Sequence, residues 1–68
     1  MFRLYKIIEI QKNPSSGYDV VALDIEKNEE VKLLGISIPK HAQIGDTIRK
    51  AEHKFYDVID ENRNIIYR

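Results

Sequence analysis

Few side chains in this 68-residue chain are equipped for chemistry, and they are widely spaced. His41 and His53 are the only histidines, and each sits beside a lysine. A histidine-based metal site usually draws two ligands from a close pair such as H-x-H or H-x-x-x-H, and neither spacing occurs. Both histidines read as loop residues. Asp57, Asp60, Glu61, Asn62 and Asn64 gather oxygen donors in one short run. A calcium loop alternates such donors around a central glycine, which is missing here, so the run reads as a polar hairpin turn. The hydroxyls of Ser15, Ser16, Ser37 and Thr47 lie in no nucleophile-elbow pattern, and Gly17, Gly35 and Gly45 stand singly, with no phosphate-cradling loop. The absence of cysteine removes thiol catalysis, thiolate metal sites and disulfides. The expectation is a protein without catalytic, metal-binding or cofactor-binding residues, and not an enzyme.

One constellation remains. Arg3, Tyr5, Tyr18, Arg49, Lys50, Tyr56, Tyr67 and Arg68 combine rings with cations. On one sheet face they would match the surfaces on which small barrels stack bases of single-stranded nucleic acid. The same residue types populate hot spots between proteins. The plainer reading is that Tyr18 and Tyr56 cap the edges of the core, ring inward and hydroxyl outward. Charge decides the order of these readings. Eleven basic residues balance eleven acidic ones, and each half of the chain is near neutrality, so the basic excess of a nucleic-acid binder is missing. A protein partner is expected first, and nucleic acid is not favoured.

The elements that would hold these residues are strands. Residues 1–68 make one small domain, and a chain this short buries only about 60% of the surface it exposes when unfolded. An apolar share of 43% is too high for a disordered tail. Alternation of apolar and polar residues predicts strands over Phe2–Gln11, Tyr18–Glu26, Val31–Ile38, Asp46–Glu52 and Phe55–Ile59, with a short final strand at Ile65-Ile66-Tyr67. The Ile7-Ile8 pair spoils the alternation of the first, through a bulge near Lys6 or through strong twist. Lys12-Asn13-Pro14-Ser15-Ser16-Gly17 is the most evident loop, and Asn28 is the natural residue for a positive φ between strands two and three. Gly35 marks a bend or bulge. Both faces of strands one and two carry apolar residues, which predicts a five- to six-stranded antiparallel barrel, or a strongly curled sheet, of SH3-like or OB-like character. The predicted core takes Leu4, Ile8, Val21, Leu23, Ile25, Leu34, Ile36, Ile38, Ala42, Ile44, Ile48, Phe55, Val58 and Ile66. Phe2–Ile10 and Ile65–Tyr67 are expected to lie close, either pairing to close the barrel or exposing edges that pair between copies.

A strand that stops at Pro39, crosses, and restarts after Gly45-Asp46 organises the second half. Here Ile38-Pro39, Gly45-Asp46-Thr47-Ile48, Tyr56-Asp57-Val58-Ile59-Asp60-Glu61 and Arg68 resemble a family of small bacterial domains of unknown function. Such domains open with an aspartate-arginine pair, where this chain has Phe2-Arg3, and often carry a second proline where it has His41. The resemblance implies a small β fold and no particular activity. The run after Met1 lacks a secretory apolar segment, and no stretch approaches the ~18 apolar residues of a membrane span, so a cytoplasmic protein without membrane association is expected. The functional expectation is a non-enzymatic module for regulatory or inhibitory protein–protein contacts. A single-stranded nucleic-acid binder, a structural or assembly accessory protein, and a homodimer paired through edge strands are the alternatives.

Overall fold

A computed structural model describes residues 3–68. Five strands, β1 (Leu4–Lys12), β2 (Tyr18–Asp24), β3 (Glu29–Ile36), β4 (Thr47–Glu52) and β5 (Phe55–Ile59), form one antiparallel sheet in the order β3-β2-β1-β4-β5. The expected start of the first strand at Phe2 lies outside the described residues. β1, β2 and β3 follow one another through hairpins, and β4 returns on the far side of β1, so the first four strands make a Greek key.

The sheet does not close into a barrel. It curls until its outermost strands meet at a single parallel bridge between Ser37 and Phe55. There the Ser37 N–H donates to the Lys54 carbonyl (2.8 Å) and the Tyr56 N–H to the Ser37 carbonyl (2.9 Å). β1 is the middle strand, paired on both sides with β2 and β4, which corrects the expectation that it either pairs with the C-terminal segment to close a barrel or exposes an edge. That segment covers β5 instead, through the Ile59–Ile65 bridge and an Ile66 N–H to Val58 carbonyl bond of 2.8 Å. Ile65–Tyr67 is thus an edge cover, not a sixth strand.

Three bulges produce the curl. The register of β1 on β2 slips between Ile7 and Glu9, leaving Ile8 as the extra residue, two positions from the expected Lys6. In β3 the slip falls at Leu34-Gly35, with Gly35 at φ 62°, and in β4 at Ala51. Asn28 takes φ 56° in the β2–β3 turn as its residue type predicts.

The core reverses the predicted parity of the first two strands. Tyr5, Ile7, Val20 and Ala22 are buried, whereas Ile8 and Ile25 are exposed and Leu4, Val21 and Leu23 are only partly covered. A one-residue change of register exchanges the faces of a strand, and with apolar residues on both faces the alternation has no discriminating power. Asp24 also turns inward, where its Oδ1 accepts the Lys27 N–H at 3.2 Å. Ile36, Ile48 and Val58 are buried as predicted, and Ile38, Ala42 and Ile66 pack against the cluster. Leu34, Ile44 and Phe55 do not: they are exposed, Leu34 because the bulge beside it turns it outward.

The crossing segment, residues 37–46, docks on β1 through Ile7. The Gly45 N–H donates to the Ile7 carbonyl, and the Ile7 N–H to the Asp46 carbonyl, both at 2.8 Å. Among the described residues, no helix is long and apolar enough to cross a membrane.

Candidate functional site

Five of the eight ring-and-cation residues come together. Arg3 and Tyr5 from β1 and its lead-in, Arg49 and Lys50 from β4 and Tyr56 from β5 line an open groove of about 470 Å³, with Ala51 and Glu52. Tyr5 pairs with Ile48 across β1–β4, and Tyr56 with Lys50 across β4–β5, so neighbouring strands set the spacing of these side chains. The two tyrosine rings meet edge to face, centroids 6.2 Å apart and planes at 65°. Their residues are only 9% and 8% exposed. Burial pushes the Tyr56 phenol above its ordinary value of 10.0, and Tyr5 adds to the shift, so the hydroxyl stays a neutral donor at physiological pH.

The other three residues lie elsewhere. Tyr18 packs half-buried against the core, opposite Ile36 at the start of β2. Tyr67 is 85% exposed. Arg68 makes an ion pair with Asp46 and reaches the His41 carbonyl at 3.5 Å. The eight therefore do not share one face.

A second surface escaped sequence reasoning. Ile8, Val21 and Leu34 sit on the convex side of β1–β2–β3, in a depression of about 410 Å³ bordered by Glu9, Gln11, Asp19, Glu30 and Lys32. The two bulges create it by turning Ile8 and Leu34 outward, to 40% and 61% exposure. The doubled isoleucine at positions 7 and 8 and the lone Gly35 were its only sequence signals. Leu34 also lines an adjoining cleft of about 340 Å³ between the β1–β2 loop (Asn13, Ser15, Ser16) and Lys54 of the β4–β5 turn.

Asp19 supports the junction of these two surfaces. Its Oδ1 accepts the Asn13 Nδ2–H at 2.8 Å and the Gly35 N–H at 2.9 Å, and these bonds hold its carboxyl below the ordinary 3.8. Asn13 Oδ1 in turn accepts the Ser15 and Ser16 N–H groups.

Among the described residues, no three His, Asp or Glu side chains converge on a point that would hold a metal ion. The polar run after β5 is a turn capped by Asp60, whose Oδ1 accepts the Asn62 and Asn64 N–H groups at 2.8 and 2.9 Å. His41 lies on the crossing segment and His53, at φ 43°, in the β4–β5 turn. No protein-family model matches the chain, and comparisons with curated proteins and with solved structures find no match.

Proposed function

We propose that this chain is a non-enzymatic binding module whose partner is a protein, engaged through the convex β1–β2–β3 face and the cleft beside Leu34. The observation that carries this reading is the composition of that face. Three aliphatic side chains, two of them well exposed, are bordered by three carboxylates and one ammonium, with no ring among them. A phosphodiester backbone would meet net negative charge there and its bases would find nothing to stack on. An apolar protein segment with a neutral or basic flank meets a matching surface.

Strand order supports the same location. The strand order β3-β2-β1-β4-β5, with Ser37 just after β3 bridging Phe55 of β5 in parallel, favours the OB-like over the SH3-like arrangement. OB folds bind their ligands on the face of strands two and three, between the loops that follow strands one and four. In this chain those loops are residues 13–17 and 53–54, the walls of the Leu34 cleft. A regulatory or inhibitory role in the cytoplasm fits a module with an exposed surface for contact.

The test is affinity capture from native lysate with the wild-type chain and with Leu34→Lys, read by mass spectrometry and by nucleic-acid sequencing. A protein should be recovered with the wild type and its affinity reduced at least about 30-fold by Leu34→Lys, the loss expected at an interface hot spot. Leu34 is exposed, so the variant should keep its circular dichroism spectrum. Recovery of single-stranded nucleic acid at ~150 mM salt, or of the same protein equally by both chains, would overturn the reading.

A further inference from the structure

We propose that the groove between β1, β4 and β5 is a recognition site for a phosphate monoester, with Arg3 and Lys50 as its cationic donors and the Tyr5 and Tyr56 hydroxyls as its neutral ones. The site is separate from the convex face and stands without it.

The donor inventory is one-sided. Arg3 and Lys50 are exposed, and neither is ion-paired among the described residues. Neither tyrosine hydroxyl is taken by a hydrogen bond to another described residue. Guanidinium, ammonium and protonated phenol can all donate, and only Glu52 at the rim brings a carboxylate. Arg49 completes the wall but faces Asp57 directly across β4–β5. An open groove lined in this way is suited to a ligand rich in acceptor oxygens.

Ring geometry narrows the ligand further. Stacking a base requires a free aromatic face, and here each ring is buried and set edge to face on the other. The groove therefore cannot work as a platform for single strands, although its residue types suggest one. A phosphate monoester offers three terminal oxygens and close to two negative charges at neutral pH, enough for the arginine fork, the ammonium and a hydroxyl together. A carboxylate has two oxygens and one charge and would leave donors unused. The volume of about 470 Å³ accommodates the phosphate with the group that bears it.

The monoester is borne either by a phosphorylated protein side chain or by a free small molecule. Titration of the ¹⁵N-labelled chain, followed by NMR at ~150 mM chloride, distinguishes these sources. The probes are inorganic phosphate, glycerol phosphate, a phosphoserine tripeptide and oligothymidylate. Glycerol phosphate should give saturable shifts at Tyr5, Lys50 and Tyr56, stronger at pH 7 than at pH 5 because the second proton of a monoester leaves near pH ~6. Arg3→Ala and Lys50→Ala should each weaken binding by about 10-fold, the loss of a charge-assisted hydrogen bond, with the rest of the spectrum unchanged. Tighter binding of the phosphopeptide than of glycerol phosphate assigns the group to a protein partner, and the reverse assigns it to a small molecule. Absence of saturable shifts, insensitivity to Lys50→Ala, or tighter binding of oligothymidylate than of every monoester would overturn the proposal.

Discussion

Asp19 and Gly35 are joined sixteen residues apart in the chain: the Gly35 N–H donates to Asp19 Oδ1 at 2.9 Å. The bond spans the β3 bulge at the point where the strand turns Leu34 outward. Because Asp19 also accepts from Asn13, one carboxylate ties the β1–β2 loop to the β3 edge. The surface proposed for the partner is therefore shaped by a side chain that sequence reasoning never singled out.

Acid should expose this role. A carboxyl whose folded value lies below its unfolded one stabilises the fold above the unfolded value, and that contribution is lost as pH falls through the folded value. For Asp19 the window opens near its ordinary 3.8 and extends downward. Asp19→Asn should then flatten the loss of urea midpoint below about pH 4, while lowering the midpoint at pH 7. Parallel acid limbs for the two proteins would mean that the carboxylate is not the group responsible.

Two glycines should respond differently to alanine. Gly17 has φ 70°, and a Cβ there would lie 2.5 Å from the Ile36 carbonyl oxygen, a contact that only backbone movement relieves. Gly45 has φ 97° with nothing within 4 Å of the same atom, so backbone strain alone remains. Gly45→Ala should cost about 1 kcal/mol and Gly17→Ala more than ~2 kcal/mol by chemical denaturation. Equal costs would show that the β1–β2 loop moves aside freely.

Alkali should act through Tyr56. Its phenol ionises above the ordinary 10.0 in the folded chain, because burial disfavours the anion and Tyr5 reinforces the effect. The unfolded chain then loses its proton first, so this part of the stability is complete below pH 10.0 and declines as pH rises through the folded value. Tyr56→Phe should reduce the alkaline loss of stability. Absorbance titration near 295 nm should show one late tyrosinate in the wild type that is missing from the variant.

Much of the secondary structure was legible in the residues themselves. Period-two runs predicted the five strands to within a few residues, and Asn28, Gly35 and Gly45 announced local backbone geometry that follows from their own residue types. Composition also argued against a basic nucleic-acid surface. What sequence could not decide was which face of β1 and β2 points inward. Ile7 and Ile8 are equal in hydrophobicity, and only the bulge that leaves Ile8 unpaired on β2 makes one core and the other surface. The same physical reason scattered the predicted site. Arg3, Tyr5, Arg49, Lys50 and Tyr56 share a groove because β4 returns beside β1 through a long crossing, while Tyr18, Tyr67 and Arg68 follow other neighbours. Alternation and turn chemistry are local properties carried by each segment. The pairing order of strands and the direction of curl depend on long-range contacts, so tertiary structure alone determines which side chains meet.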